Sequence, residues 1–534
     1  IYRTNRSLKA SIHFIALWFY FRRVYSRFDR YGVKYFPPVP IFGNMARITL
    51  KMEHFIDFMD RVYNTFNEEK FVGSYDFLTP TVYIRDLELL KKITIKDFEF
   101  FLNHRPMVDE SVEPFFGSNL FSLKDQKWKD MRSTLSPAFT SSKIRMMVPF
   151  MVEVGDQMMK SLNKKLKESG RPYIDVDSLD LMSRYANDVI ASCAFGLKVD
   201  SHTEENNQFY LMGKDVSNFT FFQMLKVFGY FAFPNAMKKL KVCLFKESTK
   251  RFYKDLVLNT MKEREARNIS RVDMIHLLME AKKGNLIHDD KVSQDADAGF
   301  ATVEESDVGK KQVNRVWTDD DLVAQAVLFL MAGFDTVATT MFFGLYELAV
   351  NPDIQDKLAQ EIRENHEKNN GEISYNSIQR MPYMDMVVSE ILRLWTPGIF
   401  TDRLCKKDYN LGRPNKNATE DYIVRKGESI GIPMWSIHRS AEYFPDPLKF
   451  DPERFSEENK HNIKPFSYMP FGLGPRNCIA SRFALCEVKV LLYQLLLHME
   501  VSPAEKTRIP AELSLESFNL RLKGGHWIRL NRRN

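Results

Sequence analysis

Between Thr318 and Asn351 the chain carries a helix of about 33 residues, roughly 50 Å at 1.5 Å per residue, and no other stretch limits the fold as strongly. Thr318 is a good N-cap, Asp319, Asp320 and Asp321 complement the positive end of the helix dipole, and Pro352 stops the run. Apolar residues lie almost all round it, so this helix must cross a core rather than lie on one. Its middle, Ala332-Gly333-Phe334-Asp335-Thr336, breaks the pattern. A mid-helix glycine costs about 1 kcal/mol against alanine, and Asp335 and Thr336 put polar groups into a buried stretch. Local rules broken in mid-core mark a functional segment. The bland alternative is that Thr336 bonds back to a carbonyl one turn earlier and merely bends the helix.

The second constraint is a single thiol in the run Phe471-Gly472-Leu473-Gly474-Pro475-Arg476-Asn477-Cys478-Ile479-Ala480. Gly472 and Gly474 lack a Cβ, so the backbone can lie close to a flat ligand. A helix starting near Ile479 would aim its positive end at the sulfur and favour thiolate. Such a thiolate can ligate haem iron axially, whereas a lone Cys after a loop is more usually a buried structural residue. The other cysteines are Cys193, Cys243, Cys405 and Cys486. An odd, sparse set without a CxxC pair points to a reducing compartment and against a disulfide framework.

This run resembles the haem-binding loop of cytochromes P-450, Phe-x-x-Gly-x-Arg-x-Cys-x-Gly, at every position but the last, where Ala480 replaces Gly. Motif order and spacing follow the family from Phe36 to the C-terminus, roughly nine-tenths of the chain. The resemblance implies haem b (iron protoporphyrin IX) as cofactor, with Cys478 as the axial iron ligand. Phe471, Gly472, Arg476, Ile479 and Ala480 are then the loop that receives the haem. Ala332 and Gly333 face it from the long helix, and Asp335 with Thr336 is the proton-delivering pair. Trp128-Lys129-Asp130-Met131-Arg132 resembles the family's Trp-x-x-x-Arg helix, in which Trp128 and Arg132 would hold a haem propionate; i, i+4 spacing puts them on one face. Arg403 matches a further propionate-binding arginine and Arg476 another, and a guanidinium fork suits a carboxylate. Taken singly, each of these arginines reads as a surface cation. His104 and His438 lie in segments that approach the propionates in relatives, or are ordinary satisfied histidines. Glu390 and Arg393, with Arg454 from Phe450-Asp451-Pro452-Glu453-Arg454-Phe455, resemble the buried salt-bridge triad under the haem, a structural group.

The expected fold class is mainly α with small β-sheet regions, the cytochrome P-450 fold. The long helix crosses over the haem, and a helical domain is joined to a β-rich lobe. No linker or repeat divides the chain, and 44% hydrophobic residues support one large core. We expect residues 1–35 to be a partial membrane anchor or interfacial segment and 36–534 a single haem-thiolate catalytic domain. Ile12 to Phe21 is apolar but has about half the roughly 20 residues a bilayer span needs. The start at Ile1 rather than Met leaves room for an upstream piece. Arg22, Arg23, Arg27 and Arg30 favour a cytosolic body, and Arg3, Arg6 and Lys9 weaken that orientation. Phe36-Pro37-Pro38-Val39-Pro40 reads as a stiff hinge. The polar connection from Ser293 to Lys311 reads as a solvated, moving loop without chemistry.

A net charge of +7 is spread along the chain and is no nucleic-acid stripe; it suits an anionic membrane surface or an acidic partner. The resemblance implies a monooxygenase that inserts one oxygen atom from O2 into lipophilic small molecules, xenobiotic or endogenous. Electrons would come from NADPH through cytochrome P-450 reductase, with cytochrome b5 as a second candidate donor. The location would be the endoplasmic reticulum membrane, cytosolic face. Leu135-Ser136-Pro137-Ala138-Phe139-Thr140, Arg271 to Ile275 and Asp335-Thr336-Val337 resemble insect microsomal xenobiotic-metabolising members. By the same analogy the substrate pocket draws on Val108 to Leu123, Phe209 to Phe233, Phe329, Phe334, Pro397 to Phe400 and Ser517 to Phe518. The rival readings are a haem-thiolate isomerase or dehydratase of peroxides and a non-catalytic haem-binding protein. An intact Asp-Thr pair speaks against both.

Overall fold

The long apolar segment folds as one unbroken helix, Asp319–Val350, closed at its start by a reciprocal cap: Asp321 N–H donates to Thr318 Oγ1, and Thr318 N–H donates to the Asp321 carboxylate. The computed structural model describes residues 13, 15–271, 273–283, 299–311 and 315–533. Among these, this is the one helix long and apolar enough to cross a membrane, and it is a core helix instead, mostly buried by protein. Helices Ser178–Ile190, Pro382–Leu394 and Ser481–His498 pack on it, and Ser141–Ser169 packs on the first and last of these. Together they bury Met151, Tyr185, Phe342, Phe343, Ile391 and Leu491 in one cluster. Each large side chain so removed from water stabilises the fold by about 1.5–3 kcal/mol. Phe343 stacks flat on Trp395, with ring centres 3.9 Å apart, so the helix end is fixed by geometry as well as area.

The β structure is small, as expected, although its strands pair across the length of the chain. Phe71–Asp76 and Thr79–Ile84 form a hairpin, Ser429–Ile432 adds in parallel to its second strand, and Thr401–Leu404 closes the four-stranded sheet antiparallel. Arg403 pairs in register with Ile430, which holds it at the sheet edge facing the central helix region. A three-stranded sheet joins Tyr173–Asp177, Trp527–Arg532 and Met499–Ser502, and a two-stranded one joins Tyr409–Gly412 to Tyr422–Val424. One buried amide couples the loop before Trp128 to the central helix. Gln325 Nε2 donates to Ser118 O at 2.9 Å, and Leu120 N–H donates to Gln325 Oε1 at 2.7 Å.

Residues 15–24 are helical, and Ile15, Leu17, Trp18, Phe19 and Tyr20 are each more than half exposed. Chain packing begins at Tyr25, since Tyr25, Phe28 and Val33 are buried with Tyr75 and Tyr422. Arg27 pairs there with Glu428 at 2.9 Å. The polar connection is not the solvated loop its composition suggests. Within residues 299–311, Ala301 and Val308 are buried in the two largest core clusters, and Phe300 packs on Phe455 and Tyr468. The rest of that expectation, residues 293–298, lies outside the described residues.

Candidate active site

Cys478 sits on a loop whose shape is set by two glycines. Gly472 and Gly474 have φ of 75° and 68°, which L side chains rarely adopt. A Cβ on Gly474 would lie 1.9 Å from Thr94 O, so no larger residue fits. Cys478 N–H donates to Phe471 O at 2.8 Å, closing the loop onto its own start. The helix that follows begins at Ser481, two residues later than the sequence suggests, and Ala480 is its N-cap with φ −103° and ψ 18°. A negative φ removes the usual need for glycine there. The residue is a cap rather than part of the helix, and at a cap glycine ranks above alanine, so alanine brings no helix-forming gain here.

Cys478 is exposed and lines a cavity of about 440 Å³. Burial pushes its thiol up, while the Ala480 N–H and the Arg132 charge push it down. The helix end therefore assists thiolate but does not outweigh burial; a coordinating metal deprotonates such a sulfur outright.

Across the cavity stand Ala332, Gly333, Thr336, Val337 and Thr340 of the central helix. Gly333 serves helix packing, since a Cβ there would approach Ile190 Cδ1 to 2.7 Å. Thr336 makes the back-bond, donating to Ala332 O, and is at the same time exposed to the cavity. Asp335 does not line the cavity. Its carboxylate is paired with Arg521 and accepts from Asn519 Nδ2 at 3.0 Å, both in the C-terminal loop.

Five sequence-selected cations and aromatics converge on the same space. Trp128, Arg132, Arg403, Arg476 and His104 all line it, as do Phe471, Gly472 and Ile479. Arg403 is buried, donates only to Thr401 Oγ1 and Asp402 O, and burial pushes it down to about 10. Arg476 stacks 4.0 Å over Trp128, donates to the carbonyls of Leu102, Leu120 and Leu123, and is pushed down by burial and then by Arg403. Among the described residues neither has an acidic partner in hydrogen-bond reach, so each can take a carboxylate. One thiol, apolar walls and two guanidiniums without an acidic partner among the described residues suit a flat dianionic iron ligand, and the residues fit a haem.

Arg132 differs. Its fork holds the Glu305 carboxylate, with Nε–Oε1 3.0 Å and Nη2–Oε2 2.7 Å, and it also donates to Asn477 O at 2.7 Å. His104 Nδ1 meets Asp402 at 2.8 Å, and burial pushes the ring down to about 4. A neutral ring donating from Nδ1 keeps only a lone pair at Nε2, a poor match for a carboxylate. His438 is fully buried away from the cavity and accepts from Met469 N–H at 2.9 Å.

Behind the loop, Glu390 and Arg393 are both completely buried and paired twice, at 2.6 and 2.8 Å. Arg454 Nε lies 3.4 Å from the same carboxylate, a charge contact without hydrogen-bond alignment, and its Nη2 donates to Asp446 O. Glu305, Asp402 and Arg521 carry no motif that marks them in the sequence, and Asn477 stands in the Cys478 run without a role of its own. Of the expected pocket segments, Leu120, Phe121, Phe329, Pro397, Gly398 and Phe400 line the cavity. Phe334 instead packs against Tyr210, and no residue from 209–233 or 517–518 reaches the lining.

Comparison with known proteins agrees with this geometry. The family model described as Cytochrome P450 matches residues 33–528. Cytochrome P450 9e2 of Blattella germanica is 43% identical over 95% of this chain and 94% of its own. Probable cytochrome P450 9f2 of Drosophila melanogaster is 42% identical over 94% of each. Probable cytochrome P450 6a13 of the same fly is 36% identical over 95% of this chain and 94% of its own.

Proposed function

Because the chain belongs to the cytochrome P450 family, we propose that Cys478 ligates the haem iron and that the surrounding cavity residues seat the macrocycle and its carboxylates. The protein is a haem-thiolate monooxygenase, an oxidoreductase that places one atom of O2 into lipophilic small molecules and draws electrons from a redox partner. When bound, the haem supplies O2 binding and activation. The observation carrying the assignment is the convergence of Cys478, Arg403, Arg476 and Trp128 on one cavity opposite Thr336.

The residues do the rest. Arg403 and Arg476 would hold carboxylates, and Trp128, fixed under Arg476, would wall the same edge. Leu120, Phe329, Val337 and Leu392 keep water out of the reacting space. Thr336 holds a hydroxyl proton at the cavity surface, parked on Ala332 O, and rotation about χ1 would bring it inward. Asp335 lies one residue away but is held by Arg521 and Asn519, so any proton it passes must follow a shift of that contact.

NADPH–cytochrome P-450 reductase is proposed as the donor, with cytochrome b5 as a second. The exposed apolar face of residues 15–20, followed by Arg22 and Arg23, supports attachment to the endoplasmic reticulum membrane with residues 36–534 as one cytosolic catalytic domain. The test is a reduced carbon monoxide difference spectrum of the purified chain, then NADPH-dependent O2 consumption with reductase present. A thiolate-type spectrum is expected and should vanish in Cys478→Ser, because a neutral hydroxyl is a poor iron ligand. An unchanged spectrum in that variant overturns the ligand assignment, and absent O2 consumption overturns the monooxygenase reading.

A further inference from the structure

Residues 299–311 read as surface loop by composition, yet they are tied down at several independent points. Phe300 N–H donates to Asp385 at 2.8 Å, and its ring packs on Phe455 and Tyr468 at 5.0 and 5.5 Å. Ala301 and Val308 are buried. Between these anchors, two consecutive residues grip the residue that precedes the iron ligand. Glu305 holds the Arg132 fork, Arg132 donates to Asn477 O and Oδ1, and Asn477 Nδ2 donates back to Glu304 O at 3.0 Å. The circuit Glu305–Arg132–Asn477–Glu304 is closed, and none of residues 299–311 lines the cavity.

We propose that residues 299–311 form a strap that clamps the Cys478 loop from outside the cavity, and that Glu305 is a positioning residue for haem retention, acting through Arg132 and Asn477. Arg132 is only 3% exposed, and Glu305 fixes its Nε and Nη2 edge so that the guanidinium stays aimed at Asn477; without Glu305 that edge is loose and the grip on Asn477 weakens. Groups that orient a metal site without touching it typically affect affinity 10–100-fold. The inference rests on the haem assignment above, for Arg132 and Asn477 matter only if Cys478 is the ligand.

The experiment follows haem transfer from the purified holoenzyme to excess apomyoglobin, beside the decay of the thiolate-type carbon monoxide spectrum. Glu305→Ala should release haem about 10-fold faster or more, and Glu305→Asp should recover part of the loss. Asp307→Ala on the same strap, whose side chain is 97% exposed, should match wild type. In an Arg132→Lys background, Glu305→Ala should add little, because the two act as a unit. If Glu305→Ala does not accumulate, Glu305→Gln, which can still accept one hydrogen bond, is measured in its place with the same expected direction. An unchanged rate, an equal effect of Asp307→Ala, or full additivity with Arg132→Lys overturns the proposal. Slower release also overturns it, since Glu305 would then be competing with the haem carboxylates for Arg132. A wild-type chain without a thiolate-type spectrum would fail the haem assignment itself, whereas a normal spectrum with equal release rates fails only the strap.

Discussion

Thr336 shows how one side chain can satisfy two readings. Its hydroxyl is bonded back along the helix, which explains its tolerance in a buried helix, and it still faces the cavity. Thr336→Ala should keep haem and substrate binding but release more peroxide per NADPH oxidised; coupling equal to wild type would reject a proton role. Ala480 carries the other residue-scale prediction. With φ at −103° the position is unstrained, so Ala480→Gly should leave the carbon monoxide spectrum unchanged. Glycine's advantage at a cap and the entropy it adds to the unfolded chain oppose each other, so stability should move by less than about 1 kcal/mol, seen as a small melting shift. A large gain in haem occupancy would show that the methyl crowds the loop.

At the scale of elements, two buried acids have opposite fates. Glu390 is locked by Arg393 between helix Pro382–Leu394 and the segment Pro452–Phe455, with Asp451 N–H donating to it at 2.9 Å. Glu390→Ala should cost about 3–5 kcal/mol through an unpaired buried guanidinium and abolish accumulation of holoprotein. Normal yield would mean the pair is dispensable. Glu347, near the end of the central helix, has no ion pair among the described residues. Burial pushes it up to about 7, against the Trp395 Nε1–H bond at 2.7 Å. The folded state thus binds this proton more tightly than the unfolded chain. Stability from this group is full below about pH 4.5 and falls as pH rises toward 7, by a few kcal/mol at most. Glu347→Gln keeps an acceptor for Trp395 and should flatten the decline of melting temperature between about pH 5 and 7. An equally steep decline in the variant would place the titration elsewhere.

For the whole molecule, Ile15 to Tyr20 is a run of exposed apolar residues at the N-terminal end of the described chain. Replacing Leu17, Trp18 and Phe19 together by serine should weaken cosedimentation with anionic phospholipid vesicles by at least about tenfold, with the carbon monoxide spectrum intact. Equal binding would move the membrane contact to another surface.

The sequence by itself determined whatever is local. The central helix is legible because its caps, apolar surface and Pro352 all act within a turn or two, and the Cys478 loop because its glycines meet demands of φ that nothing else fills. Trp128 with Arg132, and Glu390 with Arg393, are legible because helical spacing alone brings each pair together. Tertiary structure decided which charges meet across the chain. Glu305 finds Arg132 over 173 residues, Arg521 finds Asp335 over 186, and Asp402 finds His104 over 298. No periodicity carries such pairings, because the partners share no helix or strand. They are selected by burial, which makes an unpaired charge too costly to leave and gives each one the nearest opposite charge that the packed core supplies.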